Sequence, residues 1–409
     1  MEHEQLLVDV FKAYYQARKN KRNTLSQLKF EANLESNLIL LVHDIEHKQY
    51  NVGRAICFII NKPVKREIFA ADFRDRIVHH LLFNYLSPLL ERDFIADSYS
   101  CRKGYGTLYG INRIAGHIRK CSQNFKRSTY VLKLDISGYF MSIDRKRLLK
   151  MLFDMLDKYA NRKCKDTNLK YDECLDYSLI KDLLQTIVLN DPTENCTFRS
   201  LKKEWHGLPK DKSLFHAKKD CGLPIGNLTS QLFSNVYLSM FDSFMKRHEK
   251  CKYYGRYVDD FVIVHNDKQY LCHLIHHIES KLKYFGLILH PKKRYLQHVS
   301  KGFEFLGMKQ RRGVLVSGKR IKHNINKMLC EYVQAASLSL DYIQVKDFRS
   351  RFNSYLGLLR HCSAVRICDD IREKLYSLPA AYLLVDKSLK KVIINKREVP
   401  GSFAKLSDC

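Results

Sequence analysis

Paired cysteines are the first thing this chain of 409 residues lacks. Its 13 cysteines are an odd, scattered set with no Cys-x-x-Cys pair. That excludes a disulfide framework and suits reduced thiols in a cytoplasm. Cys272, His273, His276 and His277 fall within two helical turns, but no second ligand pair follows, which weighs against zinc. No uninterrupted apolar run reaches membrane-spanning length, so no membrane partner is expected. The opening Met1-Glu2-His3-Glu4-Gln5 is acidic with no apolar core behind it, so no secretory leader is expected either. Internal repeats and low-complexity linkers are missing. Gly104, Gly106 and Gly110 hint at a phosphate loop, yet no strand precedes them and no Gly-Lys-Ser/Thr follows.

Acidic residues are also scarce: 43 against 71 lysines and arginines, a net charge of +28. Such an excess costs self-repulsion and implies a polyanionic partner, with a merely solvated basic surface as the alternative. The charge is spread from Lys19-Asn20-Lys21-Arg22 through Lys202-Lys203 and Lys218-Lys219 to Arg311-Arg312 and Lys390-Lys391. A long groove tracking a nucleic-acid backbone suits that spread better than one docking patch.

The length calls for two or three packed subdomains. Helical spacing runs over residues 5–50 and stops at Val52-Gly53-Arg54. Ala55 to Ile60 and Lys65 to Ala70 read as a β-hairpin, Asp72 to Leu90 as a helix, and Asp97 to Gly110 as loop. Tyr130 to Asp135 is a strand ending in a carboxylate, and Arg145 to Tyr159 an amphipathic helix. Residues 161–220 are polar and Lys-rich, expected to hold one helix, Leu179 to Leu189, in an otherwise extended insertion. Trp205, the single tryptophan, reads there as a packing anchor. Helices are expected over Leu228 to Glu249 and Asp267 to Phe285, short strands near Leu287 and Phe303, and mainly helix from Lys319 onward.

Tyr257-Val258-Asp259-Asp260 lies between two β-type runs, a pattern for a hairpin with two carboxylates at its tip. Adjacent carboxylates repel, so a site that keeps both ionised usually holds cations as well. Two metal ions on such a hairpin are what nucleotidyl transfer needs. The plain alternative is turn chemistry, in which aspartate is common.

The remaining motifs resemble those of reverse transcriptases. Leu132-Lys133-Leu134-Asp135-Ile136-Ser137-Gly138-Tyr139-Phe140 resembles motif A, and Tyr257-Val258-Asp259-Asp260 motif C. Leu289-His290-Pro291-Lys292-Lys293 resembles motif D, Phe303-Glu304-Phe305-Leu306-Gly307 the primer grip, and Ser354-Tyr355-Leu356-Gly357 a helical thumb signature. Lys65, Arg66, Arg76 and Arg102-Lys103-Gly104 resemble basic fingers motifs. In Gly222-Leu223-Pro224-Ile225-Gly226-Asn227-Leu228-Thr229-Ser230-Gln231, Ile225 stands where most relatives carry glutamine, and Ser230-Gln231 replaces Ser-Pro. That variant resembles the enzymes of diversity-generating retroelements, in which a template-repeat RNA is copied with errors at adenines.

The resemblance implies an α+β right-hand polymerase: N-terminal extension and fingers over 1–125, palm over 126–310 with the insertion near 160–220, and helical thumb over 311–409. It implies two Mg2+ ions, replaceable by Mn2+, held by Asp135, Asp259, Asp260 and the carbonyl of Ile136. Lys65, Arg66 and Arg76 become candidates for the incoming triphosphate, with Phe140, Ile225, Gly226 and Gln231 around the nucleotide. Arg102, Lys103 and Gly104, with Phe305, Leu306 and Gly307, become candidates for template and primer. Phe140 is either a gate against the ribose 2′-hydroxyl or a core aromatic. Lys293 is either the acid for departing pyrophosphate or a groove lysine. Implied partners are the template RNA, the cDNA/RNA hybrid, dNTPs and a small basic accessory protein, in a bacterial, archaeal or phage-encoded cytoplasmic setting. Retron enzymes remain an alternative through Val316-Ser317-Gly318, although no Asn-Ala-x-x-His string is present. A group II intron enzyme, or a defence enzyme with untemplated synthesis, stays open too.

Overall fold

The computed structural model describes residues 3–19, 24–61, 64–163, 170–311, 313–336, 341–376, 382–385 and 389–395. The basic residues Lys21, Arg22 and Arg312 and the last fourteen or so residues of the expected thumb lie outside these. In chain order the elements are α1 (His3–Arg18), α2 (Leu25–Glu31), α3 (Leu34–Glu46), β1 (Ala55–Ile60), β2 (Arg66–Ala70), α4 (Phe73–Leu90), α5 (Thr107–Cys121) and β3 (Tyr130–Asp135). Next come α6 (Tyr139–Ser142), α7 (Arg145–Ala160), α8 (Tyr171–Cys174), α9 (Tyr177–Leu189), β4 (Cys196–Phe198), α10 (Leu228–Ser243), β5 (Tyr254–Tyr257), β6 (Asp260–His265) and α11 (Lys268–Tyr284). The chain closes with β7 (Tyr295–His298), β8 (Phe303–Phe305), β9 (Met308–Arg311), β10 (Val314–Ser317), α12 (Lys319–Ala336), α13 (Tyr342–Leu359), α14 (Val365–Tyr376), β11 (Leu383–Val385) and β12 (Val392–Ile394). Helices and small sheets make the mixed α+β class expected.

Two compact units emerge: Met1–Gly106 with Lys133–Ile263 and Gln269–Tyr295, and Thr107–Leu132 with Val264–Lys268 and Leu296–Cys409. In the first, α4 starts where the Asp72 carboxylate accepts the Arg74 N–H at 3.1 Å, satisfying a donor the helix leaves open. The helices α4 and α10 are buried nearly all round, as central helices must be. Antiparallel β1 and β2 pair Ile56 with Ala70 through Ile60 with Arg66. Strands β5, β6 and β3 lie side by side in that order.

The segment expected as an extended insertion folds instead. Besides α8 and α9 it contributes β4, which runs parallel to β1 with Ala55 opposite Cys196. Single 3-10 turns follow at Lys202–Trp205, Lys210–Lys212 and Leu214–His216. Its polarity hid this, because the groups that fasten it are polar. The loop expected up to Gly110 ends at Thr107, and Gly110 is buried in α5. No strand forms at Leu287; only a single bridge joins Leu289 to Ile136.

In the second unit α12, α13 and α14 pack around Ile325, Leu329, Val345, Phe348, Phe352 and Leu356. Tyr332 stacks on Phe348 at 4.0 Å between ring centroids. The stretch read as mainly helical also holds the antiparallel pair β11–β12. Three apolar residues on each strand suffice there, too few to show a period in sequence.

Candidate active site

Strand β3 delivers Asp135, only 8 % exposed, at its C-terminal end. On the β5–β6 hairpin Tyr257 pairs with Asp260, so Val258 and Asp259 form a two-residue turn. Asp259 therefore stands at the tip and Asp260 opens the returning strand. The segment after α11 is stitched to the end of β3: His290 N–H donates to the Asp135 carbonyl at 2.8 Å and Ser137 N–H to the Ile288 carbonyl at 2.9 Å. That stitching brings Lys293 to Asp135, with Nζ donating to Oδ1 at 2.9 Å and Oδ2 at 3.0 Å. Lys133, two residues before Asp135, lies 3.4 Å from Asp260.

Three carboxylates thus share one place with two ammonium groups. Burial, then the charges of Asp135 and Asp260, push the Asp259 carboxyl up to about 6. Asp260 is raised as well, by burial first, with Lys133 pulling the other way. A carboxylate cluster short of positive charge is the donor set a hard divalent cation takes. As arranged here, no group of three His, Cys, Asp or Glu among the described residues could hold an ion by itself. Lys293 covers both oxygens of Asp135 and would have to move aside. Near α11, Cys272, His273, His276 and His277 are exposed along the helix.

Around the nucleotide candidates, β2 meets the segment before α10 directly. Phe69 N–H donates to the Ile225 carbonyl at 2.9 Å. Gly226 has φ +137°, and a Cβ there would sit 2.8 Å from the Phe69 carbonyl oxygen, so only glycine fits. Phe140 and Ile225 are both half-buried against one small apolar cluster that includes Phe69, Met141 and Leu214. Trp205 packs on the same cluster, as the anchor reading expects. Ile136 is buried, and Gln231, at the first turn of α10, accepts from the Cys101 thiol at 3.2 Å.

Two features of this region escaped sequence reading. Glu67, 1 % exposed on β2, accepts from Trp205 Nε1 at 2.6 Å, Ser213 Oγ at 2.8 Å and Leu214 N at 2.6 Å. The Ser137 hydroxyl donates to the Asp211 carboxylate at 3.2 Å, so the insertion reaches the loop just past Asp135. A signal existed for the first: Glu67 is in phase with the inward Phe69 on an alternating strand. Nothing in the sequence marks Asp211.

The basic candidates divide. Arg66 is exposed, and Lys65 donates to the His206 carbonyl at 2.6 Å. Arg76 is half-buried on α4, its pKa pressed down by burial, and its Nη1 has no hydrogen-bond partner. Arg102 does not face outward as a template contact would. It stacks on Tyr105 and donates to the carbonyls of Ile95 and Ser98 at 2.9 and 3.0 Å, fixing its own loop. Lys103 and Gly104 remain exposed beside it. In the second unit Leu306 and Gly307 form the β8–β9 turn, with φ of 51° and 85°, and Phe305 is buried beneath.

The chain is similar to the following proteins. The protein YkfC of Escherichia coli K12 is 24 % identical over 272 residues, 57 % of this chain and 60 % of that protein's length. Apo telomerase from Candida tropicalis gives a TM-score of 0.47 at 13 % identity, over 79 % of this chain and 60 % of that one. Telomerase from Candida albicans with the TWJ fragment of telomeric RNA gives 0.45 at 12 % identity, over 86 % and 59 %. Residues 60–310, more than half of the chain, match the family described as reverse transcriptase (RNA-dependent DNA polymerase). The chain belongs to that reverse transcriptase family.

Proposed function

We propose that the protein is an RNA-directed DNA polymerase that copies a template RNA into error-prone cDNA, as in a diversity-generating retroelement. The observation that carries the polymerase reading is the meeting of Asp135, Asp259 and Asp260 at the ends of neighbouring strands, with Asp259 raised by burial first and then by its two neighbours. Asp135, Asp259 and Asp260 would hold magnesium, with the Ile136 carbonyl as a further ligand. The metal supplies neutralisation of the phosphates and of the attacking 3′ oxygen. Lys293, whose ammonium lies against Asp135, is the group that could protonate departing pyrophosphate. Lys65, Arg66 and Arg76 are the cations available to the triphosphate, and the +28 charge accounts for affinity to RNA and to the hybrid product.

The retroelement reading rests on Ile225 and Ser230-Gln231, which depart from the commoner motif B. Primer extension on a defined RNA tests both levels. Asp135→Asn and Asp259→Asn are expected to lower extension at least about 1000-fold while RNA affinity survives. Full extension by either variant would remove the metal assignment, and extension without template would remove templated copying. Sequenced cDNA is expected to carry its errors opposite adenine. An even error spectrum would leave a reverse transcriptase of another kind.

A further inference from the structure

Arg256, one turn of the pleat before the catalytic hairpin tip, is fully buried at 0 % exposure. All five of its side-chain N–H groups have acceptors. Nε and Nη2 fork onto Asp242 at 2.8 and 2.6 Å, and Nη2 also reaches Ser98 Oγ at 3.2 Å. Nη1 donates to Asn235 Oδ1 at 3.2 Å and to the Val258 carbonyl at 2.9 Å. The other polar group of Val258, its N–H, donates to Ser100 Oγ at 3.1 Å. Ser100 is fastened in turn to Asn235, whose Nδ2 donates to the Ser100 carbonyl at 2.8 Å. Buried side chains thus hold both backbone polar groups of Val258.

Val258 needs holding. Its φ of 56° is left-handed, where a β-branched side chain crowds the backbone. Asp242 alone would neutralise Arg256, and an apolar replacement of a buried ion pair is often no less stable. The buried pair is therefore weak evidence that stability is what the arginine serves. What only the guanidinium fork supplies is a donor left over for the Val258 carbonyl after Asp242, Ser98 and Asn235 are satisfied.

We propose that Arg256 is a positioning residue for catalysis: with Ser100 it clamps Val258 in the left-handed turn that aims Asp259 at Asp135. The proposal rests on the reading of Asp259 as a metal-holding carboxylate. Its partners Asp242 and Asn235 sit on α10, so the helix that follows motif B sets the height of the catalytic tip.

The test uses the full chain with Ser100→Ala and Arg256→Lys, each alone and with Val258→Gly. In the single variants kcat is expected to fall about 10- and 100-fold, with RNA affinity within about twofold of wild type. The Mg2+ concentration for half-maximal rate should rise, and the Val258 amide should exchange its hydrogen faster. Glycine takes the left-handed turn without penalty, so adding Val258→Gly should restore about fivefold of kcat in either background and give no gain in wild type. Folded Ser100→Ala with wild-type kcat, Mg2+ dependence and amide exchange would overturn the proposal. So would Val258→Gly acting by the same factor in all backgrounds. Should Arg256→Lys fail to fold, the Ser100→Ala pair decides. Retained synthesis by Asp259→Asn would remove the site assignment beneath the proposal, an outcome distinct from either of these.

Discussion

Phe140 and Ile225 lean on one apolar cluster, so the residue expected to exclude ribose and the residue expected to loosen base selection share a core. A ring under the sugar leaves no room for a 2′-hydroxyl. Phe140→Val should therefore admit ribonucleotides, read as the GTP to dGTP incorporation ratio; an unchanged ratio would assign the gate elsewhere. Isoleucine offers shape but no hydrogen bond where glutamine could orient the nascent pair. One such bond is worth on the order of 1 kcal/mol, or several-fold in misincorporation. Ile225→Gln is expected to lower adenine errors in sequenced cDNA by that factor. Equal error frequencies would make Ile225 packing alone. The packing is real, since its carbonyl also anchors Phe69, and the two variants can interact because the side chains lean on the same core.

Among the elements, the α4–α10 pair carries the frame beneath motif B, and His79 ties the two helices. Its Nδ1 lies 2.8 Å from Thr229 Oγ1, and the residue is 4 % exposed. Burial, with the charges of His80 and Arg76 adding to it, drops its pKa to about 3. The sign follows from proton counting: below pH 6.5 the unfolded chain binds a proton that the folded chain refuses. This contribution is thus complete above pH 6.5 and is lost as pH falls from there toward 3. Between pH 7 and pH 5 it amounts to about 2 kcal/mol. Denaturant melts of wild type and His79→Gln should diverge in pH slope by that amount, whatever the variant's baseline. Parallel slopes would mean that His79 accepts a proton in the fold. Elements with a clean period were legible: β3 spans Tyr130–Asp135 and α4 starts after Asp72 as expected. The insertion was not, because Glu67, Trp205 and Ser213 fasten it through polar contacts between residues 138 and 146 positions apart in sequence.

At the scale of the whole molecule, charge dominates. With +28 to dispose of, RNA binding should be driven by counterion release. Each neutralised phosphate contributes about −0.7 to −0.9 to the slope of log affinity against log salt. A slope steeper than about −3 in filter binding or anisotropy would match at least four phosphate contacts. A flat response would contradict a binding surface made by these lysines and arginines, whatever the active site does. No helix of the described residues is long and apolar enough to cross a membrane.

The sequence by itself determined the parts that chemistry fixes locally: three carboxylates in strand and turn settings, the positive charge, the glycine before α10 and the family they signal. Local propensity and motif spacing suffice for those, because each is written in a few consecutive residues. Tertiary structure alone decided which charges are free. Arg102 reads as a nucleic-acid contact and is tied to its own loop, whereas Arg256, which no motif singles out, is a buried fork under the Val258-Asp259 turn. A guanidinium's role depends on which acceptors surround it, and those acceptors come from segments as far as 158 positions away.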